Sequence, residues 1–224
     1  IGITGSYGKT TTKFILTRIL SEKFNVVCTP HSFNTPMGVV RTVREHFKPQ
    51  TQIFVCEMGA KNVGDIKEIC KIVHPDFGLI TSVGEQHLET FKNVDNVFKT
   101  KFELADAVSK KQGITFVNGD SEEIINRINR DDFKVYGTQA DFNYSISNIT
   151  CGRNGSKFDL DLGDTTITLS TKLLGKHSIV NIAGAAALAY SLGVSADDIK
   201  FAISQLKPTE HRLELKSFKN SSLL

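Results

Sequence analysis

Residues 1–13 read Ile-Gly-Ile-Thr-Gly-Ser-Tyr-Gly-Lys-Thr-Thr-Thr-Lys. An apolar run enters the turn Gly5-Ser6-Tyr7-Gly8, and Lys9-Thr10-Thr11-Thr12 then opens a helix. Glycines let the backbone wrap tightly round an anion, so that N–H groups and the positive end of a helix meet a phosphate. In such a loop Lys9 reaches the terminal phosphates and the Thr10 hydroxyl ligates Mg²⁺, with Gly5, Ser6, Gly8 and Thr11 completing a nucleotide cradle. The commoner loop carries a further glycine where Ile3 stands, so this is the shorter Gly-x-x-Gly-Lys-Thr form. A glycine-rich turn without nucleotide is the competing reading, which Gly-Lys-Thr at a strand-to-helix junction disfavours. GTPases and kinases share such loops, so the motif indicates a ligand without fixing a reaction.

Three other side chains bear on the reaction. Glu57 directly follows the apolar run 53–56, which puts a carboxylate at the carboxyl end of a core strand, where it could share a Mg²⁺ with Thr10. The alternative is a capping or loop glutamate. His87 follows a second buried run and a glycine turn in Pro-Asp-Phe-Gly-Leu-Ile-Thr-Ser-Val-Gly-Glu-Gln-His-Leu-Glu; a lone histidine there is ordinarily structural. Lys101 lies in Lys99-Thr100-Lys101-Phe102-Glu103-Leu104. It reads either as a site lysine or as an exposed helix lysine paired with Glu103 or Asp106.

The elements that must position these groups alternate. Strand-like runs at 1–4, 26–28, 53–56, 77–81 and 114–117 are interleaved with helical patterns from Lys9, from Met37, over 63–72 and over 94–109. That alternation predicts an α/β fold, a mostly parallel P-loop sheet with helices on both faces, with ligands at the carboxyl ends of the strands. Residues 141–171 change character: short runs at 144–149, 157–162 and 166–170, separated by Arg153-Asn154-Gly155-Ser156 and Gly163-Asp164, predict a small antiparallel excursion. Helical patterning returns over 178–192 and over 195–206, the latter with Ser195 as a cap and Asp197 and Asp198 in the first turn.

Composition narrows the function classes. In the 224 residues, 27 basic and 24 acidic side chains are interspersed and leave a formal charge of +3, too small an excess to argue for nucleic acid. No apolar stretch is long enough to insert in a membrane and no signal peptide opens the chain. Cys28, Cys56, Cys70 and Cys151 are widely spaced, which reads as reduced, mostly buried thiols in a cytoplasmic protein. The chain begins with Ile1, inside a strand, and is expected to be a piece of something longer.

Taken in order, the Gly-x-x-Gly-Lys-Thr loop, Glu57-Met58-Gly59-Ala60, the segment ending His87-Leu88-Glu89 and Lys101-Phe102-Glu103-Leu104 resemble the Mur ligase family. Leu173-Leu174-Gly175-Lys176-His177-Ser178-Ile179-Val180-Asn181 is similar to the family's adenine-site motif, although Ser178 stands where the family has asparagine. His211-Arg212-Leu213-Glu214 resembles its junction with a following domain. Asn34-Thr35-Pro36-Met37-Gly38-Val39 is similar to a family loop beside the reaction centre, with unusual wording between Asn34 and Gly38.

The resemblance implies an ATP- and Mg²⁺-dependent ligase that forms an amide through an acyl phosphate. The Glu57-Met58-Gly59-Ala60 wording is most similar to the family branch that adds D-alanyl-D-alanine to a UDP-muramoyl tripeptide. It further implies phosphate contacts from Lys9, Mg²⁺ held by Thr10 and Glu57, and a second metal site involving His87 and a carbamylated Lys101. Asn34 would orient the acyl phosphate, His177 and Asn181 would border the adenine, and Arg212 would sit near the γ-phosphate. Residues 1–206 would form the central ATP-binding domain and 207–224 a linker into a following domain. The UDP-linked muramoyl peptide and the amine dipeptide would be oriented by flanking domains absent from this sequence, so the piece is expected to bind Mg-ATP weakly and turn over little. Cyanophycin and folylpolyglutamate synthetases, or a nucleotide-binding module without chemistry, are the alternatives.

Overall fold

The computed structural model describes residues 1–85, 88–207, 216–218 and 221–223. Its strands and helices alternate as β1 (Gly2–Thr4), α1 (Lys9–Leu20), β2 (Val26–Cys28), α2 (Pro36–His46), β3 (Ile53–Glu57), α3 (Asp65–Val73), β4 (Phe77–Ile80), α4 (Leu88–Phe91), α5 (Val94–Ser109) and β5 (Ile114–Asn118). There follow α6 (Glu122–Ile125), β6 (Lys134–Gly137), β7 (Tyr144–Gly152), β8 (Gly155–Asp161), β9 (Thr166–Thr171), α7 (Lys176–Ser191) and α8 (Ala196–Ser204). A two-stranded antiparallel ribbon, β10 (Lys216–Phe218) and β11 (Ser221–Leu223), lies outside the main sheet.

Nine strands form one sheet in the order β2-β3-β1-β4-β5-β6-β7-β8-β9. The neighbours from β2 to β7 pair in parallel, and β7-β8-β9 are antiparallel. The expected antiparallel excursion is therefore an extension of the main sheet. From β1 the chain passes to the edge strand β2, returns to β3 beside β1, and then crosses to β4 on the other side of β1, so the crevice beyond the carboxyl end of β1 is a topological switch point.

Both faces of the parallel strands are covered, whereas β8 and β9 bury only alternate residues, and alternation along the parallel strands divides the core in two. Val55, Leu79, Phe116 and Tyr136 face one cluster with α1, α7 and α8, whereas Cys56, Ile80, Val117 and Val135 face the other with α3 and α5. Helix α7 runs through the first cluster with Ala183, Ala185, Ala186, Ala187 and Ala189 fully buried. It is apolar nearly all round, as a helix enclosed on most sides must be. The small residues let it lie close to β6. A Cβ added at Gly184 would stand 2.5 Å from Cζ of Tyr136, itself fully buried.

The cap read at Ser195 is present, its hydroxyl accepting from the Asp198 N–H at 3.1 Å. The cysteines depart from expectation. Cys56 and Cys70 are buried and their thiols are pushed up to about 12 by that burial, but Cys28 is half-buried and Cys151 exposed. All four are free. Among the described residues no helix is long and apolar enough to cross a membrane.

The contact between α7 and β6 predicts that Gly184→Val lowers stability by about 1–3 kcal/mol, because the Tyr136 ring has nowhere to move. Gly152, where an added Cβ meets nothing within 4 Å, is the matched control: Gly152→Ala should fall within about 0.5 kcal/mol of the parent in urea unfolding.

Candidate active site

The site is built around one carboxylate. Glu57 ends β3, is only 1 % exposed, and its N–H donates to Thr29 Oγ1 at 3.0 Å. Its Oε1 accepts from Thr10 Oγ1 at 3.1 Å and from Asn34 Nδ2 at 3.0 Å. Its Oε2 receives no hydrogen bond of ordinary geometry and faces Lys13 Nζ as an ion pair at 3.1 Å. Lys13, fully buried, also donates to the His31 carbonyl. The first turns of α1, the end of β3 and the 31–34 segment thus converge on a single side chain. The last of these is also tied by the Gly59 N–H donating to Asn34 O at 2.8 Å.

The turn between β1 and α1 has the shape its glycines suggest. Gly8 is the N-cap of α1 with φ 83°, a left-handed conformation that favours glycine, and a Cβ there would meet Asn181 Oδ1 at 2.7 Å. At Gly5 a Cβ would collide with Thr81 Oγ1 at 2.1 Å. The turn is zipped to the segment after β4. Ser6 N–H donates to Ser82 O at 2.8 Å, Tyr7 N–H to Ser82 Oγ at 2.9 Å, and Gly84 N–H to Ser6 Oγ at 3.0 Å. Tyr7 O accepts from Thr81 Oγ1 at 2.5 Å. Lys9 Nζ curls over the loop, donating to Gly5 O at 2.8 Å and Ser6 O at 3.2 Å.

Cavities open on both sides of this loop. One, of about 730 Å³, is lined by Gly8, Thr11, Asn118, Asp120, His177 and Asn181 among others. Ser178, the departure from the family motif, does not reach it; its hydroxyl turns back to Leu174 O at 2.8 Å. The other, of about 350 Å³, is lined by Lys9, Asn34, Gly59, Asp65 and Lys101 among others.

Lys101 is 2 % exposed, which excludes the exposed-lysine reading. Burial, reinforced by the neighbouring Lys9 and opposed by Asp65 and Glu103, lowers its ammonium from 10.5 to about 8. Glu103 itself caps the start of α3, accepting from the N–H groups of Gly64 at 2.7 Å and Lys67 at 2.8 Å.

The structure therefore brings together Gly5, Ser6, Gly8, Lys9, Thr10, Thr11, Asn34, Glu57, Lys101, His177 and Asn181 around one loop. His87 and Arg212 lie outside the described residues. Sequence reasoning missed Lys13, whose signal is its place four residues after Lys9, one helical turn along the same face. It also missed Thr81, Ser82 and Asp120, polar residues just past the ends of β4 and β5, where ligand-facing groups of such sheets collect.

The Mur ligase middle-domain family model matches residues 3–189. The chain belongs to the Mur ligase middle-domain family. Among its relatives, the UDP-N-acetylmuramoyl-tripeptide--D-alanyl-D-alanine ligase of Bacillus subtilis strain 168 is 31% identical over 215 residues, covering 96% of this chain and 46% of the relative. A crystal structure of MurF from Acinetobacter baumannii superposes with a TM-score of 0.89 at 26% identity, over 99% of this chain and 49% of that one. MurF ligase from Thermotoga maritima, crystallised in complex with ADP, gives 0.85 at 28% identity, over 97% and 50%. The chain thus spans about half the length of the relatives it matches.

Lys101 gives a pH signature. Between about pH 8 and 10.5 the unfolded chain holds a proton on this lysine that the folded chain has lost, so its contribution to stability rises with pH there. At about pH 7 it is a buried cation, and Lys101→Met is expected to raise the melting temperature by about 2–4 °C. That advantage should shrink as pH rises through 8. Thermal unfolding in CO₂-free buffers measures it; an advantage that does not change with pH would contradict the assignment.

Proposed function

We propose that this domain is the ATP-binding centre of a longer ligase that joins D-alanyl-D-alanine to a UDP-muramoyl tripeptide. On this reading residues 1–206 form the central domain and 207–224 lead into a following one. The observation that carries it is the convergence of Thr10, Asn34 and Lys13 on the buried Glu57 beside a phosphate-loop cradle.

The residues fit a magnesium nucleotide. Glu57 Oε1 and the Thr10 hydroxyl stand 3.1 Å apart beside the loop, and the Gly8 cradle leaves no room for a side chain. Among the described residues no group of three or more His, Cys, Asp and Glu gathers to hold an ion by itself. That suits Mg²⁺, which takes one or two protein ligands and completes its shell from phosphates and water. Thr10 and Glu57 would hold it, and it would supply positive charge to offset that of the phosphates during transfer.

The chain's own groups do the rest. The N–H groups at the start of α1 bind the phosphates, and Lys9 swings from its carbonyl partners to the terminal ones. His177 and Asn181 border the base in the larger cavity. In the smaller cavity a substrate carboxylate oxygen takes the γ-phosphoryl group as its bond to ADP breaks. The amine nitrogen then attacks the acyl carbon, a C–N bond replaces the C–O bond to phosphate, and the nitrogen loses a proton. Asn34, bonded to Glu57 beside this cavity, is placed to orient the acyl phosphate. A lysine titrating near 8 has neutral amine available to add CO₂ and release a proton, which supports a carbamylated Lys101 as a metal ligand together with His87. Arg212 would approach the γ-phosphate from the linker. Four free thiols suit a reducing compartment, and we place the protein in the cytoplasm.

A module that only bound nucleotide would need the loop and the α7 cavity, not a buried lysine across from them. In the full-length protein, His87→Ala should abolish phosphate release that depends on both the tripeptide and the dipeptide while calorimetric ADP binding survives. Lys9→Ala should lose both. Turnover by Lys9→Ala at the parent rate would refute the reading.

A further inference from the structure

Lys13 is a fully buried ammonium that the chemistry above does not use. It cannot swing away: its Nζ is 3.1 Å from Glu57 Oε2 and donates to the His31 carbonyl, and both Lys13 and Glu57 are shut from solvent. Burying a charge is costly, and merely filling this space would be done better by an apolar side chain of the same length.

We propose that Lys13 makes metal binding at Glu57 conditional on nucleotide phosphates. The inference rests on reading Thr10 and Glu57 as magnesium ligands. With the loop empty of phosphate, a divalent cation arriving alone meets one carboxylate whose charge Lys13 already balances. Lys9 stands one helical turn before it on the same helix. Across the smaller cavity Lys61 and Lys101 outnumber Asp65. Two buried like charges at short range repel strongly because little water screens them. Mg²⁺ also sheds its water reluctantly and needs several anionic oxygens to do so. A di- or triphosphate in the loop reverses the local charge and supplies those oxygens, and the cation enters with it.

Lys13 acts through Glu57 and is therefore a positioning residue. Its second bond, to His31 O, fixes which way the carboxylate turns: Oε2 toward Lys13, Oε1 toward Thr10 and Asn34. The device keeps the site from filling with free metal and gives the metal-nucleotide complex precedence over either component.

The test uses Mn²⁺, read by its electron paramagnetic resonance, titrated into the chain with and without ADP. The unaltered protein should take up Mn²⁺ far more readily with ADP present than without it. In Lys13→Met the nucleotide-free affinity should rise about tenfold or more, while Lys13→Arg, which keeps the charge, should stay near the parent. Should the methionine variant fail to fold, Lys13→Gln, which retains a donor for His31 O, answers the same question. A merely structural lysine would on removal leave metal affinity unchanged or weaken it, and either result in a folded neutral variant overturns the proposal. So does tight Mn²⁺ binding by the unaltered chain without ADP. If ADP and Mn²⁺ fail to bind even together, the assignment of Thr10 and Glu57 falls first, and the role of Lys13 with it.

Discussion

A carboxylate taken almost wholly out of water is the constraint on which the rest of this domain depends. Glu57 sits at the end of β3 with 1 % of its surface exposed, and an uncompensated charge in that position would cost several kcal/mol. Each neighbouring element meets part of that requirement. Helix α1 supplies Lys13 and Thr10, the 31–34 segment supplies Asn34, and the strand beside β3 leaves Thr29 to receive its N–H. Because these contributions come from segments far apart in sequence, the carboxylate also fixes how they lie against one another. Loss of any one partner would leave the others bonded to a misplaced group.

The second organising feature is the zipper between the β1–α1 turn and the segment following β4. Ser6, Tyr7, Thr81, Ser82 and Gly84 exchange bonds that use backbone groups of both segments. The Ser6 and Tyr7 N–H groups are used in this stiffening from next door, which leaves an anion to be met by the N–H groups where the turn enters α1. The parallel pairing of β1 with β4 makes this possible, because both strands deliver their ends to the same edge of the sheet. Tyr7, 59 % exposed, is carried on the rim by this backbone framework, its hydroxyl donating to Glu85 O at 3.3 Å.

Much of this was legible in the sequence, and the parts that were not share a physical cause. Helix α5 was read with the bounds it has, since its sixteen residues carry an unbroken apolar period and the Asn93 side chain caps it through the Asn96 N–H. Strand β6 was missed because Lys134–Gly137 is four residues long, follows Asp131 and Asp132, and owes its pairing to β5 and β7. Helix α7 starts at Lys176, two residues before its expected start, because Gly175 with φ 86° turns the chain in at that point. At the site, motif spacing found the groups that face the cavities. It could not find Lys13, whose significance lies in the partner it meets, nor choose between a buried and an exposed Lys101. Both depend on contacts between elements, and single-residue patterns do not record them.

The two cavities differ in charge, and that difference gives the loop a direction. On the β3 and α5 side, Lys9, Lys61 and Lys101 gather with Asp65 as the counter-charge. On the α7 side the walls are amide, hydroxyl and imidazole groups. There Asp120 is engaged by the Thr138 N–H at 2.8 Å and hydroxyl at 2.9 Å, and Lys176 stands 4.0 Å from its other oxygen. A nucleotide has the same asymmetry, a polyanionic tail and a neutral base that presents donors and acceptors. Laid across Gly8 as proposed, it would find favourable surroundings in one orientation only, with the tail toward the lysines and the base toward Asn181. Reversal would put phosphates against Asp120 and leave the ammonium groups facing an uncharged ring, a mismatch in both cavities at once. The orientation follows from where the sheet changes direction, because the strands on either side of β1 end in differently charged loops.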